Sequence, residues 1–353
     1  MTAAAIVGIG RTRFARTAAV TEAALASRAI VEALDDAGLA IDDVDGVVRF
    51  DREALWEFDL PGVQRLAGLP YYGAVPFGPG GAPSLVRLAA MAVGLGLARV
   101  VVGYHARHGV ERGVAGSDHA WGGITSATEA AAVVMRRRGV TPALLTTVTC
   151  AMRRAGARNT GALQRRPLTA AAHRKSPFVA EPLRSADLAP ASVGAAAFVV
   201  TTLEQASTLR RPPVRVLSSM QAALPSVARH LPEWYARRAE QALARAARRL
   251  FRDARLRPAD VDVACLYADP AGLVPIALED YGFCARGEAA TYLRGSGVRV
   301  NPHGGQLAEA SLDGINDVVA AVRALRGDLR PRARVALVAG SPLEPTSAVL
   351  LGV

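Results

Sequence analysis

Cysteine is scarce in this chain of 353 residues, which has only Cys150, Cys265 and Cys284. The three are odd in number, far apart, and form no CxxC pair. This pattern excludes a disulfide framework and a cysteine-based zinc site. His105 and His108 form an HxxH pair, but no carboxylate set accompanies them, so we expect no metal site.

Lysine and aromatic residues are also rare. Lys175 is the only lysine, so the net charge of +11 comes almost entirely from arginine, and aromatics make up 5% of the chain. One interpretation is coding bias towards arginine; the other is that its planar donors bind phosphate. The arginines lie in many short clusters without the interleaved rings of a nucleic-acid groove. We therefore expect an anionic cofactor tail, an acidic carrier or an acidic partner, and no nucleic acid.

Long apolar runs are missing as well. No stretch approaches the roughly eighteen uninterrupted apolar residues of a membrane span. The first residues, 1–6, lack the basic and apolar regions of a secretory signal. With 51% hydrophobic residues the chain can still bury a large core. We therefore expect a cytoplasmic protein with no membrane span.

The chain contains one pattern twice. Residues 36–45 (DAGLAIDDVD) and 253–262 (DARLRPADVD) both follow an alanine-rich helical pattern and precede an apolar strand. The glycine pairs at 80–81 and 304–305 each precede a helix and then another apolar strand. A long repeat of βα units predicts a duplicated α/β domain.

One predicted helix is apolar on nearly every side. It lies near 84–96, with Ser84 as its predicted cap and Arg87 as its only charge. Because a helix of this kind is buried on all sides, it should lie between two sheets. A counterpart is predicted to begin near Ile315. The expected architecture is a five-layer α-β-α-β-α sandwich with two central helices.

The repeat also divides the chain. We predict a first half at 1–215 and a second half at 216–353. Residues from about 104 to 180 have no partner in the second half and contain a glycine-rich stretch at 113–123 and an arginine-rich run at 153–176. Long insertions in compact domains usually carry function. We therefore predict a loop subdomain inserted in the first half.

Gly8 and Gly10 follow the first apolar run. Arg13 stands where a dinucleotide-binding fingerprint needs its third glycine. We therefore interpret the two glycines as part of a tight turn from strand to loop.

Six segments carry a family resemblance; they begin at residues 5, 35, 89, 179, 279 and 301 and read AIVGIG, DDAGL followed by DVDG, AAMAV, VAEPL, EDYGFCARGE and NPHGGQL. They resemble the thiolase superfamily, and within it the lipid-transfer-protein (SCP2-thiolase-like) branch that includes the actinobacterial steroid side-chain aldolases. The last two segments are the most specific, and the resemblance covers essentially the whole chain. It implies the thiolase fold, with two similar βα halves.

The resemblance also shows what is missing. Thiolases attack the acyl thioester with a cysteine at the start of the buried central helix. Here that position falls at Gly80. The positions of the catalytic histidine and the second cysteine fall at Ser311 and near Val338. Covalent acyl transfer by a cysteine is therefore excluded.

The steroid aldolases of this branch use two tyrosines instead. By the resemblance, one corresponds to Tyr267, and the position of the other holds Ser311 in this chain. A retro-aldol step needs a base for the proton of a β-hydroxyl and donors for the enolate oxygen. We predict Tyr267 as the base and His303 as a proton carrier. The backbone amides of Gly304 and Gly305 would hold the enolate.

The predicted site therefore has catalytic and substrate-binding members: Tyr267, His303 and Ser311 in the first group, and Gly80, Gly81, Asp269, Asn301, Gly304 and Gly305 in the second. Simpler interpretations stay open for three of them. Tyr267 could be a structural tyrosine at the end of a buried strand, and His303 a positional residue. Ser311 could be a small helix residue without a partnered base.

Two functions fit these residues. The first is an aldolase-type enzyme that cleaves or forms a C–C bond in an acyl thioester of CoA or a carrier protein, with no cofactor besides the thioester. The alternative is a degenerate subunit that binds an acyl thioester or supports a small OB-fold/zinc-ribbon partner of the DUF35 type. Asp269, Ser311 and Val193 favour it, since they stand where the branch usually has His, Tyr and Asp. A third interpretation, a lipid carrier, rests only on the name of the branch.

The resemblance also implies self-association. Thiolase-fold proteins pair through an edge strand of the sheet. We therefore expect a homodimer that pairs through residues near 98–103.

Overall fold

The computed structural model is an α/β protein, and it describes residues 3–51, 69–76, 78, 81–108, 124–222, 233–295, 298–343 and 346–353. Its strands are β1 Ala4–Arg11, β2 Gly46–Asp51, β3 Tyr71–Pro76, β4 Val100–His108, β5 Phe178–Ala180, β6 Leu183–Arg184, β7 Val193–Thr202, β8 Val214–Ala222, β9 Val263–Leu266, β10 Arg299–Val300, β11 Val335–Ala339 and β12 Thr346–Gly352. Its helices are α1 Glu22–Ala37, α2 Ala82–Gly94, α3 Ile124–Arg137, α4 Pro142–Arg158, α5 Ala170–Lys175, α6 Leu203–Ala206, α7 Glu233–Ala254, α8 Leu273–Asp280, α9 Ala289–Gly295, α10 Gly305–Ala308 and α11 Ile315–Arg326.

The sequence repeat is also a structural repeat. Each copy runs from a helix through a short 3-10 turn into a strand: α1, Ile41–Asp43 and β2 in one, and α7, Pro258–Asp260 and β9 in the other. An aspartate just after each turn fixes the next parallel strand. Asp45 accepts the first N–H of β4 at 2.8 Å, and Asp262 accepts the first N–H of β11 at 3.1 Å. The repeat prediction is confirmed at the level of single hydrogen bonds.

The strands form one mixed sheet in the order β10-β9-β11-β12-β8-β1-β7-β4-β2-β3. The strands of the first half lie at one end and those of the second half at the other. The halves join between β1 and β8, which pair through Ala5 with Arg215 and Ile6 with Val214. This short joint lies next to the boundary that we place between 215 and 216, which stays a prediction.

Two helices lie between the halves. α2 packs against β2, β4 and β7 of the first half and also against β8 and β12 of the second. α11 packs against β9 and β11 and also against β1 and β7. On the outside, α1 covers β1, β4 and β7, while α7 covers β8 and β12. The layers follow the α-β-α-β-α order predicted from the sequence, but both β layers belong to one continuous sheet rather than to two sheets. α11 begins at Ile315, as expected.

The strands alternate between two cores. Ile6 on β1 and Cys265 on β9 face the central helices, whereas their neighbours Val7 and Leu266 face the outer layers. Successive side chains of a strand point to opposite faces of the sheet. A strand that is covered on both faces must therefore be apolar at every position, as these runs are.

Three local predictions need correction. Gly8 and Gly10 lie inside β1 rather than in a turn, because α1 packs so closely there that a side chain would meet its backbone. α2 begins at Ala82 with Gly81 as its N-cap, so Ser84 lies within its first turn. β4, which contains most of the predicted edge 98–103, pairs with β7 on one side and with β2 on the other.

The inserted segment connects β4 to β7 and carries α3, α4, α5 and the β5–β6 hairpin. It contacts the second half, because α4 packs against α9 and α10 and α3 packs against α8. The predicted glycine-rich stretch at 113–123 lies outside the described residues. Among the helices of the described ranges, none combines the length and apolarity that crossing a membrane requires.

Candidate active site

The N-termini of the two central helices meet at the seam between the halves. Gly314 caps α11 in a left-handed conformation (φ +88°), and Gly81 caps α2. A Cβ at Gly314 would lie 3.4 Å from Cβ of Ala82 and 3.7 Å from Cδ2 of Tyr267. The positive ends of both helix dipoles and the Tyr267 ring therefore lie together.

Phe50, at the end of β2, closes the seam on the side of the first half. A Cβ at Gly81 would lie only 2.3 Å from Cε1 of Phe50, so this capping position is restricted to glycine. The Phe50 ring meets the His105 ring edge to face, with 4.9 Å between centroids. Gly81 therefore lies against Phe50, which in turn contacts His105, while Gly80 lies outside the described residues.

A charged cluster bridges the halves at the same place. Nε2 of His105, on β4, lies 2.9 Å from Oδ2 of Asp313, just before α11. Nη1 of Arg107 lies 3.7 Å from the same oxygen. His105 and Asp313 are buried, while the Arg107 side chain is 27% exposed. A histidine and an arginine from one half thus hold a carboxylate from the other.

Tyr267 follows β9 and is 5% exposed. Its N–H donates to the carbonyl of Ala339 at 3.0 Å, which extends the pairing of β9 with β11. The pKa of Arg107 is raised first by the Asp313 carboxylate and further by Tyr267 and Asp269. The guanidinium therefore lies within electrostatic reach of all three groups.

Asp269 and Ser311 form the next part of the site. Oδ1 of Asp269 accepts the Ala189 N–H at 3.1 Å, and the nearby Ser311 side chain lowers the pKa of the same carboxyl group. Burial raises the pKa of Asp269, opposed by the Ala189 amide and by Arg107. The Ser311 N–H donates to Oγ of Ser192 at 2.9 Å. The structure therefore places Ser311 near Asp269, and Arg107 within electrostatic reach of both Asp269 and Tyr267; the catalytic and binding roles of these residues stay predictions.

His303 lies behind this site in a buried polar network. Its side chain has no exposed surface, and Nε2 lies 2.9 Å from Oδ1 of Asp317 and 3.9 Å from Oε2 of Glu309. Gln306 donates to Asp317 at 2.6 Å and accepts the Ala268 N–H at 2.7 Å. The network thus supports the backbone next to Tyr267, and its contacts favour the positional interpretation of His303.

Asn301 and the glycine pair belong to the same support. The Asn301 side chain bonds both the N–H and the carbonyl of Leu266, at 2.7 and 2.8 Å. The Gly304 N–H donates to the Asn301 carbonyl at 2.9 Å, so it is engaged within the loop. A Cβ at Gly304 would lie 2.9 Å from Cα of Gly156, and one at Gly305 would lie 3.3 Å from Cβ of Ala268. The glycines therefore allow close packing beside the end of β9, and their role as enolate donors stays a prediction.

The three cysteines have thiols of low reactivity. Burial raises the pKa of the Cys265 thiol, which lies beside His303, and raises that of Cys150. Burial raises the pKa of Cys284 to about 11. Since the thiolate is the nucleophilic form, none of them has the character of a catalytic cysteine. Within the described ranges, no group of three or more His, Cys, Asp and Glu side chains is arranged to hold a metal ion.

His105, Arg107 and Asp313 are site residues that the sequence patterns do not single out. In the sequence, His105 stands out only with His108, as an HxxH pair. The available signal was the spacing of two of these site residues. His105 and Arg107 are two residues apart on β4, and side chains at that spacing lie on the same face of a strand. Asp313 carries a weaker signal, as an acid directly before the capping glycine of a buried helix.

These features define the class of protein. Two α/β repeats enclose two central helices, and both helix N-termini reach a polar site at the seam, which is the arrangement of the thiolase fold. A family model described as "Thiolase C-terminal domain-like" matches residues 232–350. A solved structure of a monomeric SCP2-thiolase-like protein from Mycobacterium smegmatis has the same fold, with a TM-score of 0.74 at 17% identity over 99% of this chain and 76% of that one.

Full-length relatives narrow the class. The chain is 34% identical to a 17-hydroxy-3-oxo-4-pregnene-20-carboxyl-CoA lyase of Mycobacterium tuberculosis, over 99% of both chains. It is 33% identical to a steroid side-chain-cleaving aldolase of Thermomonospora curvata, over 99% of this chain and 98% of the relative. A solved Ltp2-ChsH2(DUF35) aldolase superposes with a TM-score of 0.90 at 32% identity, over 99% and 98% of the two chains. The chain belongs to the thiolase superfamily, in the lipid-transfer-protein branch with the steroid side-chain aldolases.

Proposed function

We propose that this protein is an aldolase that cleaves the Cα–Cβ bond of a β-hydroxyacyl-CoA, with Tyr267 as the base. The observation that carries the proposal is the convergence of Tyr267, Arg107 and the N-termini of α2 and α11 at one seam. Two relatives that match the chain over 99% of its length are a CoA-thioester lyase and a steroid side-chain-cleaving aldolase. A 17-hydroxy steroid with a CoA-activated side chain is therefore the substrate class to test first.

Tyr267 would take the proton of the β-hydroxyl group. The cleavage then leaves a ketone on the β-carbon, and the electron pair of the broken bond moves onto the thioester as an enolate. A phenol becomes a useful base when a nearby positive charge stabilises its phenolate form. Arg107 supplies that charge, and its partly exposed side chain reaches Asp313 as well.

The enolate oxygen would face the N-termini of the two central helices. Each N-terminus carries a partial positive charge, and such fixed dipoles stabilise charge that develops in a transition state. Gly81 leaves room for the Phe50 ring, which would lie 2.3 Å from a Cβ at this position, and Gly314 adopts the left-handed φ of +88° at the start of α11. The two capped N-termini would then hold the enolate in place of Gly304 and Gly305.

A partner would complete this enzyme. One solved relative is described as an aldolase of Ltp2 with a DUF35 partner, and we propose an OB-fold/zinc-ribbon partner of that type here. Ser311 also favours dependence on a partner, since the resemblance implies a second tyrosine at this position. A non-catalytic subunit, the second candidate function, would bind the same partner but show no cleavage with it.

A homodimer would pair through β3 rather than through 98–103. Within the described sheet β3 pairs with β2 alone, and Tyr72 on it is 50% exposed. β4 cannot form the strand pairing between two protomers, because it already pairs with β2 on one side and with β7 on the other.

The test uses Tyr267→Phe. The protein is purified together with its DUF35-type partner and given 17-hydroxy-3-oxo-4-pregnene-20-carboxyl-CoA, and release of propionyl-CoA is followed. Removing the hydroxyl that takes up the proton should lower kcat by about 100-fold or more, the usual contribution of a positioned base. Tyr292→Phe is the matched control, because that ring packs against Phe283, on the outer side of the second half.

Two outcomes would count against the proposal. Unchanged turnover by Tyr267→Phe would remove Tyr267 as the base. Absence of cleavage by the wild-type complex, with the thioester bound, would favour the non-catalytic subunit instead.

A further inference from the structure

Asp313 has an unusual backbone for a charged residue. Its φ is +52°, in the left-handed region that favours glycine, and Gly314 follows at +88°. Such a conformation costs free energy, and residues that keep it cluster at functional sites. The side chain is buried, and its Oδ2 lies 2.9 Å from Nε2 of His105 and 3.7 Å from Nη1 of Arg107.

The proposed reaction still lacks a group that protonates the α-carbon, and Asp313 lies where such a group is needed. Tyr267 accounts for one proton, that of the β-hydroxyl, but the enolate must also receive a proton at its α-carbon. Gly314, the next residue, lies against the Tyr267 ring, and Arg107 interacts with both Asp313 and Tyr267. Ser311, two residues earlier, offers only an aliphatic hydroxyl, which is a poor acid next to the Asp269 side chain.

We propose that the Asp313–His105 pair is the second proton-transfer group of this site and delivers a proton to the α-carbon of the enolate. This inference rests on the aldolase function proposed above. It assigns catalytic roles to Asp313 and His105 and a positioning role to Arg107, which fixes Asp313 beside Tyr267.

The step balances in protons and electrons. The β-hydroxyl proton moves to the Tyr267 phenolate while the Cα–Cβ electron pair becomes the enolate. The Asp313–His105 pair enters the step with one proton more than a neutral imidazole beside a carboxylate, and this extra proton moves to the α-carbon, which restores the thioester carbonyl and leaves His105 neutral and Asp313 ionised. Afterwards the Tyr267 proton passes to the vacated pair, and no oxidant, reductant or metal is required.

A purely structural pair looks different in this protein. His173 and Asp187 lie 2.7 Å apart, and the two side chains also bond Thr146 and Thr149, all of them buried. The Asp313–His105 pair instead borders Arg107, whose side chain is 27% exposed. It also lies where the N-termini of α2 and α11 meet. The first pair is enclosed in the inserted segment, whereas the second lies at the edge of the candidate site.

The experiment separates the two proton transfers. The complex with its DUF35-type partner is incubated with propionyl-CoA in D2O, and incorporation of deuterium at the α-carbon is measured by mass spectrometry. This exchange needs only the group that protonates the α-carbon. Asp313→Asn keeps the left-handed backbone, which asparagine tolerates, and should lower the exchange rate by about 100-fold or more.

The other variants keep the inference falsifiable. His105→Gln should lower the exchange as well and shift its pH profile, and it serves if Asp313→Asn does not fold. Tyr267→Phe should lose cleavage while keeping most of the exchange. His173→Gln breaks the comparable buried pair and should leave the exchange unchanged.

Exchange at the wild-type rate in both Asp313→Asn and His105→Gln would overturn the assignment and leave the aldolase proposal intact. Wild-type cleavage by Tyr267→Phe would instead overturn the aldolase mechanism itself.

Discussion

His303 combines complete burial with charged neighbours. Burial alone would lower the pKa of this histidine, but Glu309 and Asp317 raise it well above its ordinary value of 6.5, with a further contribution from Cys265. The imidazolium charge is thus part of the folded state. It supports the backbone at Ala268 through Asp317 and Gln306, next to Tyr267.

This network predicts a pH dependence of stability. A histidine whose pKa is raised on folding stabilises the protein fully below its unfolded pKa, and this contribution is lost as pH rises through the folded value. The wild type should therefore lose stability as pH rises above about 6.5, and His303→Gln should lose less over the same range. Urea unfolding at a series of pH values measures both. Parallel curves for the two proteins would show that His303 is neutral in the folded state.

Among elements, α1 and β1 show how close two segments can pack. A Cβ at Gly8 would lie 2.0 Å from the carbonyl oxygen of Ala33, and one at Gly10 would lie 2.1 Å from that of Ala29. Both obstacles are helix backbone, which cannot rotate away. The glycines thus set the distance between the first outer layer and its sheet.

Gly8→Ala should therefore destabilise the fold. The added methyl group forces α1 away from β1, and overpacking of this kind costs about 1–3 kcal/mol. The free energy of unfolding in urea measures it. Gly295→Ala is the matched control, because a Cβ there meets nothing within 4 Å. Equal stability of the two variants would show that α1 tolerates the shift.

The same elements show what the sequence could and could not predict. The repeat at 36–45 and 253–262 predicted the duplicated fold, because periodic apolar patterns and turn residues act locally. The role of Gly8 and Gly10 was predicted wrongly, since a close approach between α1 and β1 is a tertiary contact with no local signal. The edge at 98–103 was wrong for the same reason, as strand order depends on pairing across the whole sheet.

The candidate site was predicted in part. Tyr267, Asp269 and Ser311 came from motif positions. The structure places Ser311 near Asp269, and both Asp269 and Tyr267 within electrostatic reach of Arg107. Asp313, His105 and Arg107 were missed because the two ends of this cluster are far apart in the sequence. His105 and Asp313 are separated by 208 positions. Only the packing of the two halves makes them neighbours.

For the whole molecule, Arg326 connects the halves away from the site. It lies at the end of α11, and its guanidinium bonds the Asp36 carboxylate on α1 and the carbonyl of Val7 on β1, the latter at 2.7 Å. The side chain is 1% exposed. A helix of the second half is thus tied to the sheet and outer helix of the first.

Arg326→Met should weaken this joint. The methionine fills the space of the arginine stem but leaves the Val7 carbonyl without this donor, while Asp36 keeps Arg211 and the Ile9 N–H, so the change should cost about 1–3 kcal/mol. Urea unfolding checks the loss. Arg257→Met removes an exposed pair with Asp260 and should have no measurable effect, as is usual for such pairs. Equal midpoints for the two variants would show that Arg326 contributes little.

The seam has a consequence for how such an enzyme can arise. β4 of one repeat supplies the imidazole and guanidinium, while the loop before α11 of the other supplies the carboxylate, so neither repeat contains a complete set. An ancestral single copy could have assembled this chemistry only by pairing with a second copy. Joining both copies in one chain freed each to keep just its own share of the groups, and the repeats could then diverge in sequence while their backbone stayed alike.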